Sequence, residues 1–208
     1  ELGDGSRGLA IADFADWKAS AYADGMTCQD CHMPWENQEA AVGSGTTRSR
    51  GHHGDRGPQD ALAKDAVRLR LLSVTDAGDA KKLVLEIENK GAGHALPAGL
   101  PSRRLVVELE PLDAKGAALP RVRVSLGRTW VDAKGEVVPF YAAERETADT
   151  RLAAGEKRPL EFSLPADARR VRAFVYDQTI SAEVARHWAA EPKLRAMLEL
   201  EFNLKDPP

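Results

Sequence analysis

Two cysteines and a histidine form the most distinctive chemical cluster in this sequence, in the run Cys-Gln-Asp-Cys-His at positions 28–32. They are the only two cysteines among 208 residues. The Cys-x-x-Cys-His spacing is typical of c-type haem attachment. Two thiols form thioether bonds to the vinyl groups on one edge of the porphyrin, and the next residue presents an imidazole to the iron. The motif predicts one covalent haem c on Cys28 and Cys31, with His32 as the proximal iron ligand.

Other chemistries also use closely spaced cysteines. A redox dithiol is expected in a βαβ context, whereas this pair follows a short helical pattern and precedes a loop rich in glycine, serine and arginine. Structural zinc needs four ligands, commonly two cysteine pairs, so histidines would have to complete the site. A disulfide would close a small, strained ring and leave the adjacent histidine unexplained. We prefer haem, and a haem-free zinc or disulfide module stays an alternative.

The segments on either side of the motif are expected to enclose the haem. Residues 9–24 have apolar side chains near one face of a helix, which Gly25 is placed to end. Residues 36–58 are predicted to be a loop, which is long for a compact domain unless it packs over a ligand.

The loop after the motif contributes polar candidates for the cofactor site. His52 and His53 are candidate distal iron ligands. Arg48 and Arg50 are candidates for ion pairs with the haem propionates, because guanidinium groups bind carboxylates through paired hydrogen bonds.

From residue 67 onward, apolar and polar residues alternate with a period of two, which predicts half-buried strands. Turn sequences containing glycine and aspartate separate the runs. Together they predict a mainly β fold, an immunoglobulin-like antiparallel β-sandwich preceded by a small helical haem-binding segment. The expected domains are 1–66 and 67–208, with a short helix over 181–192. The alternating runs are 67–71, 83–87, 105–109, 121–124, 160–164, 170–175 and 198–204.

A second loop, residues 89–104, presents one histidine among glycines and prolines. Because glycine permits close approach of a backbone to a ligand, His94 is another candidate for the distal iron position. Met26 and Met197 also stay possible as iron ligands. If no second protein ligand binds, the haem would have an open face, as in a haem enzyme or a gas sensor.

Two stretches resemble bacterial multihaem c-type cytochromes, including relatives of the hydroxylamine-oxidising and nitrite-reducing systems. The run Met-Thr-Cys-Gln-Asp-Cys-His-Met-Pro at 26–34 resembles their last haem-binding segment, and 89–99 resembles a loop of the β-sandwich that often follows it. The resemblance implies electron transfer in the periplasm and bis-histidine ligation, with His52 or His53 in the position that often supplies an axial ligand. Those proteins carry several haem motifs, whereas this chain has one copy.

These observations favour an extracytoplasmic electron carrier over a catalyst. A single haem needs a redox protein or a multihaem cytochrome subunit as its partner, and the sandwich is the expected docking module. Because c-type attachment occurs outside the cytoplasm, we expect a periplasmic location. The net charge of −3 provides no basic surface for nucleic acid. No apolar stretch reaches the roughly 20 residues of a membrane-spanning helix.

Overall fold

Antiparallel β-structure dominates the part of the chain that the computed structural model describes, residues 11–51 and 61–204. The helices are short: α1 (Asp13–Lys18), α2 (Cys28–His32), α3 (Ala61–Ala66) and α4 (Ala182–His187), with 3-10 turns at Ala21–Asp24 and Phe140–Ala142. The strands are β1 (Trp35–Glu39), β2 (Thr47–Gly51), β3 (Val67–Ala77), β4 (Ala80–Asn89), β5 (Arg104–Leu112), β6 (Val122–Leu126), β7 (Arg128–Val131), β8 (Arg145–Asp149), β9 (Lys157–Pro165), β10 (Arg170–Gln178) and β11 (Leu194–Asn203).

Two sheets form the sandwich. One has the strand order β11-β10-β5-β6 and the other β3-β4-β9, and every neighbouring pair is antiparallel. Their inward faces carry the alternating apolar residues that the sequence pattern identified, and side chains such as Leu85, Ile87 and Val175 are fully buried between them. Burying one face of each sheet is what demands the period of two. The predicted mainly β, antiparallel sandwich is therefore confirmed.

The predicted loop over 36–58 is wrong for its first part, because residues 35–51 form the antiparallel hairpin β1-β2. Gly43 and Gly45 have positive φ angles and make the turn. The Gly45 backbone N–H also donates to the Glu39 carboxylate at 2.8 Å. This hairpin carries polar residues along most of its length, and none of its residues whose burial is described is buried, so it lacks the apolar alternation that reveals a strand.

The predicted helix over 9–24 is shorter than expected. The α-helix covers Asp13–Lys18, and a 3-10 turn follows over Ala21–Asp24. Ser20 separates them, because its hydroxyl accepts the backbone N–H of Tyr22 and so caps a new turn. The second predicted helix also stops early, since Ala189 has a positive φ of 47° just after α4.

Contacts from α1 and the following turn hold the N-terminal segment against the loops of the sandwich. The Tyr22 hydroxyl donates to the Lys90 carbonyl at 3.0 Å. Asp13 accepts the backbone N–H of Gly99 at 2.8 Å, and Asp16 pairs with Arg151 at 2.9 Å. These contacts bring the cysteine motif beside the loop that carries His94.

Candidate haem-binding site

The cysteine motif is a single helical turn with a defined start. Thr27 and Asp30 form a capping box, in which the Asp30 carboxylate accepts the Thr27 backbone N–H at 2.6 Å and its hydroxyl at 2.8 Å. These hydrogen bonds hold the pKa of Asp30 below its usual value. Because residues three and four apart share a helix face, Cys28, Cys31 and His32 point to one side of α2.

That side of α2 faces a cavity of about 460 Å³ between the N-terminal segment and the sandwich. Its volume lies within the roughly 300–1,000 Å³ of small-molecule and cofactor sites. The walls are mostly apolar and come from several elements. They include Phe14 and Trp17 from α1, Ala63 and Ala66 from α3, Leu96 and Pro97 from the loop after β4, Leu105 from β5 and Met197 from β11.

Two histidines face each other across this cavity. The ring centroids of His32 and His94 are 6.2 Å apart, and the ring planes are 16° from parallel. Both rings line the cavity together with Cys28 and Cys31. The structure therefore brings together four of the side chains that the sequence nominated, two thiols and two imidazoles.

A hydrogen bond to the neighbouring carbonyl fixes which nitrogen of His94 is available. His94 Nδ1 lies 3.1 Å from the Ala95 carbonyl oxygen. A carbonyl oxygen only accepts, so this hydrogen bond requires the tautomer with the proton on Nδ1, in which Nε2 is the nitrogen available to a metal. Metal-binding histidines generally have this arrangement, with the non-ligating N–H bonded to a carbonyl or carboxylate.

A buried asparagine holds the His94 loop in place. The Asn89 side-chain amide donates to the His94 carbonyl at 2.9 Å and to the Leu152 carbonyl at 3.1 Å. Its carboxamide oxygen accepts the backbone N–H of Ala92 at 3.1 Å. Asn89 is fully buried, so these three bonds satisfy polar groups that have no access to water. In the sequence, Asn89 could be recognised only as the first residue of the loop.

Close packing requires two of the glycines of this loop, Gly91 and Gly93. A Cβ atom on Gly91 would lie 2.6 Å from the Asp65 carbonyl oxygen. A Cβ atom on Gly93 would lie 3.1 Å from the Tyr22 side chain and 3.3 Å from Trp17. The loop therefore sits against α3 and the aromatic side chains of the N-terminal segment at distances that larger residues would not allow.

Among the other nominated side chains that the structure describes, the two methionines line the cavity and Arg48 does not. Arg48 is exposed on β2 and is not among the cavity-lining residues that the structure describes. Arg50 is on the same strand, where its backbone pairs with Glu36. His52 and His53 lie outside the described residues. Both methionines line the cavity, and Met26 is exposed whereas Met197 is buried.

The cavity also has a charged end that the sequence did not reveal. Arg103, Asp177 and Arg195 line it, and Arg103 Nη1 lies 3.6 Å from Asp177 Oδ2. Burial raises the pKa of Asp177, and the charges of the two arginines offset only part of that rise. The sequence contained one indication that Asp177 is buried: it continues the inward-facing row of β10 that includes Val171 and Val175.

Two features, a metal-binding cluster and a membrane-spanning helix, are absent from the described residues. Within residues 11–51 and 61–204, no three histidine, cysteine, aspartate or glutamate side chains come together as a metal-binding group. None of the helices in that same part of the chain is long and apolar enough to cross a membrane.

Comparison with solved structures identifies a similar fold. The chain matches the crystal structure of a penta-heme cytochrome c552 from Thermochromatium tepidum with a TM-score of 0.70 and 21% sequence identity. The match covers 93% of this chain and 51% of that one, so the chain spans about half the length of that cytochrome.

A second solved structure, Northeast Structural Genomics Consortium target SoR45, matches with a TM-score of 0.29 and 9% identity. That match covers 69% of this chain and 89% of the target, and it supports no conclusion. No protein-family model and no curated protein matches the sequence. The comparisons show that this chain shares its fold with part of a cytochrome c.

Proposed function

We propose that the chain is an electron-transfer cytochrome module that carries one covalent haem c. Cys28 and Cys31 would form the thioether bonds, and His32 and His94 would be the two axial ligands. The observation that carries this proposal is the pair of near-parallel imidazoles, 6.2 Å apart, in a cavity that both cysteines also line.

The spacing of the two rings fits a metal ion between them. A bond from a metal to an imidazole nitrogen is about 2 Å long, and the ring centroid lies about 1 Å beyond that nitrogen. Two imidazoles that bind one metal from opposite sides therefore have centroids about 6 Å apart. Among the distal candidates His52, His53 and His94, this arithmetic favours His94.

When bound, the haem would supply a one-electron couple whose potential depends on its axial ligands and burial. The protein's part is to hold the site in one geometry. Ligation by His32 and His94 would fill both axial positions, so no small molecule could bind the iron without displacing a ligand. This favours electron transfer over catalysis at an open haem face.

Arg103 and Arg195 are better placed than Arg48 to pair with the propionates. Both line the cavity, and Arg103 is partly buried, whereas Arg48 is exposed on the hairpin. Guanidinium groups bind carboxylates well, and partial burial strengthens such pairs. We therefore propose the charged end of the cavity as the propionate site.

A single haem must exchange electrons with another redox centre, so we propose a redox protein or a multihaem cytochrome subunit as the partner. The similar solved protein is described as a penta-heme cytochrome, which is compatible with a module that works beside other haems. Covalent attachment implies maturation outside the cytoplasm, and we propose a periplasmic location. The division at residue 67 would then separate the attachment segment from the sandwich, whose His94 loop completes the site.

The test is to express the chain with a c-type cytochrome maturation system and measure its mass and its absorption spectrum with and without carbon monoxide. We expect an increase by the mass of one haem and a reduced form that does not bind carbon monoxide. An unmodified polypeptide mass would contradict the proposal and favour the haem-free alternative. Rapid binding of carbon monoxide would instead favour an open haem face.

A further inference from the structure

A buried carboxyl group in the cavity wall has an incomplete set of partners. Asp177 is 4% exposed and lines the cavity at the end of β10. In the part of the chain that the structure describes, its Oδ2 atom has no hydrogen-bond partner. Arg103 Nη1 is 3.6 Å away, beyond the usual hydrogen-bond length. Protonation would remove the negative charge from this buried oxygen, which has no hydrogen-bond donor.

The charged groups around Asp177 are few. Arg103 precedes β5, and Arg195 lies opposite Asp177 in the pairing of β10 with β11. The other titratable side chains on the cavity are the two histidines already assigned, Asp13, Tyr22, Cys28 and Cys31. Arginine stays charged at all relevant pH values, so the two guanidinium groups do not exchange protons.

Asp177 differs from Asp13, the other aspartate on the cavity. Within the described residues, each has one buried oxygen without a hydrogen-bond partner, Oδ2 of Asp177 and Oδ1 of Asp13, but the second oxygen of Asp13 accepts the backbone N–H of Gly99 at 2.8 Å. Asp177 Oδ2 lies beyond hydrogen-bond length from Arg103, and burial raises the pKa of Asp177. A change of charge in the cavity can therefore act on the protonation of Asp177.

Resting on the proposed function, we infer that Asp177 couples electron transfer to proton transfer. A donor protein is oxidised and passes one electron to the site in the cavity. At the same time, the Asp177 carboxylate takes up a proton from water. When the electron leaves to an oxidised partner, the proton returns to water. The physical reason is that added negative charge near a buried carboxylate opposes its ionised form, and protonation neutralises it.

The test measures the midpoint potential as a function of pH in the haem-bearing protein and two variants. For one electron coupled to one proton, a tenfold change in proton concentration shifts the potential by about 59 mV. We expect the wild-type slope to approach this value over the pH range in which Asp177 titrates. Asp177→Asn should lose this slope. Glu183→Gln is the matched control, because Glu183 is another partly buried carboxylate, paired with Arg104 at 2.9 Å, that does not line the cavity.

An unchanged slope in Asp177→Asn would overturn the inference, since propionates or histidines would then be the titrating groups. Loss of the slope in both variants would also overturn it. If Asp177→Asn does not fold, redox-difference infrared spectra of the wild-type protein decide. A protonated carboxylic acid signal that appears on reduction would support the inference, and its absence would end it.

The two proposals fail in different ways. Covalent haem with bis-histidine ligation and a pH-independent potential would refute only the proton coupling. A protein without covalent haem would refute both.

Discussion

Replacing Asn89 by alanine should loosen the loop that carries His94. The variant removes three side-chain hydrogen bonds, to the carbonyls of His94 and Leu152 and from the N–H of Ala92. Each such bond contributes about 1 kcal/mol net, so the free energy of unfolding should fall by about 3 kcal/mol. Because Asn89 is fully buried, water has little access to the groups that lose these bonds, although the Leu152 carbonyl keeps its hydrogen bond from the Leu96 N–H at 2.9 Å.

Urea unfolding gives the free-energy change, and carbon monoxide binding to the reduced, haem-bearing protein reports on the distal ligand. We expect Asn89→Ala to be less stable and to bind carbon monoxide faster, because His94 is held less firmly. Asn37→Ala, on the exposed face of the hairpin, is the matched control and should change neither quantity. A loss below about 0.5 kcal/mol, together with unchanged carbon monoxide kinetics, would refute the role given to Asn89.

Two other predictions concern packing and charge. Gly91→Ala should cost about 1–3 kcal/mol in urea unfolding, because its Cβ would lie 2.6 Å from the Asp65 carbonyl oxygen. Gly25→Ala, which meets no atom within 4 Å, should not suffer this clash, and equal losses in the two variants would contradict the packing argument. Burial raises the pKa of Asp149, but hydrogen bonds from Arg151 outweigh burial and lower it below its ordinary value. The stabilisation by this carboxylate should therefore be present above the ordinary aspartate pKa and lost as the pH falls through the folded-state pKa. Asp149→Asn should cost up to about 1 kcal/mol at neutral pH, since the pair is partly exposed, and little in acid; a loss independent of pH would refute the charge argument.

The strands of the sandwich could be predicted because one face of each sheet is buried. In β10, the inward row Val171, Ala173 and Val175 is fully buried, and arginine or aromatic residues fill the other face. Burial therefore leaves a period of two in the sequence. None of the described side chains of the hairpin β1-β2 is buried, so its strands leave no such signal, and the glycines of its turn are equally typical of a loop.

The candidate site could be predicted only in part. Cys28, Cys31 and His32 were identifiable because the chemistry of attachment fixes their spacing in the chain. His94 could be nominated from its glycine-rich loop but not chosen, because its distance from His32 depends on how the sandwich packs against the N-terminal segment.

The charged residues of the site were harder to predict. Arg48 was nominated because it lies near the motif in sequence, whereas the arginines that line the cavity come from β11 and the loop before β5. Asp177 follows the spacing of a core position, and only the tertiary structure shows that this end of the core borders a cavity. Sequence proximity is therefore a poor guide to cofactor contacts that the sandwich supplies.

Electron paramagnetic resonance of the ferric protein tests the proposed His32–His94 ligation most directly. We expect a low-spin signal in the wild-type protein, because two imidazoles would fill both axial positions. His94→Ala should convert it to a high-spin signal, whereas His53→Ala and His52→Ala should leave it low-spin. A low-spin signal that survives His94→Ala and is lost in His53→Ala or His52→Ala would contradict the assignment and give the distal position to the loop after the haem motif.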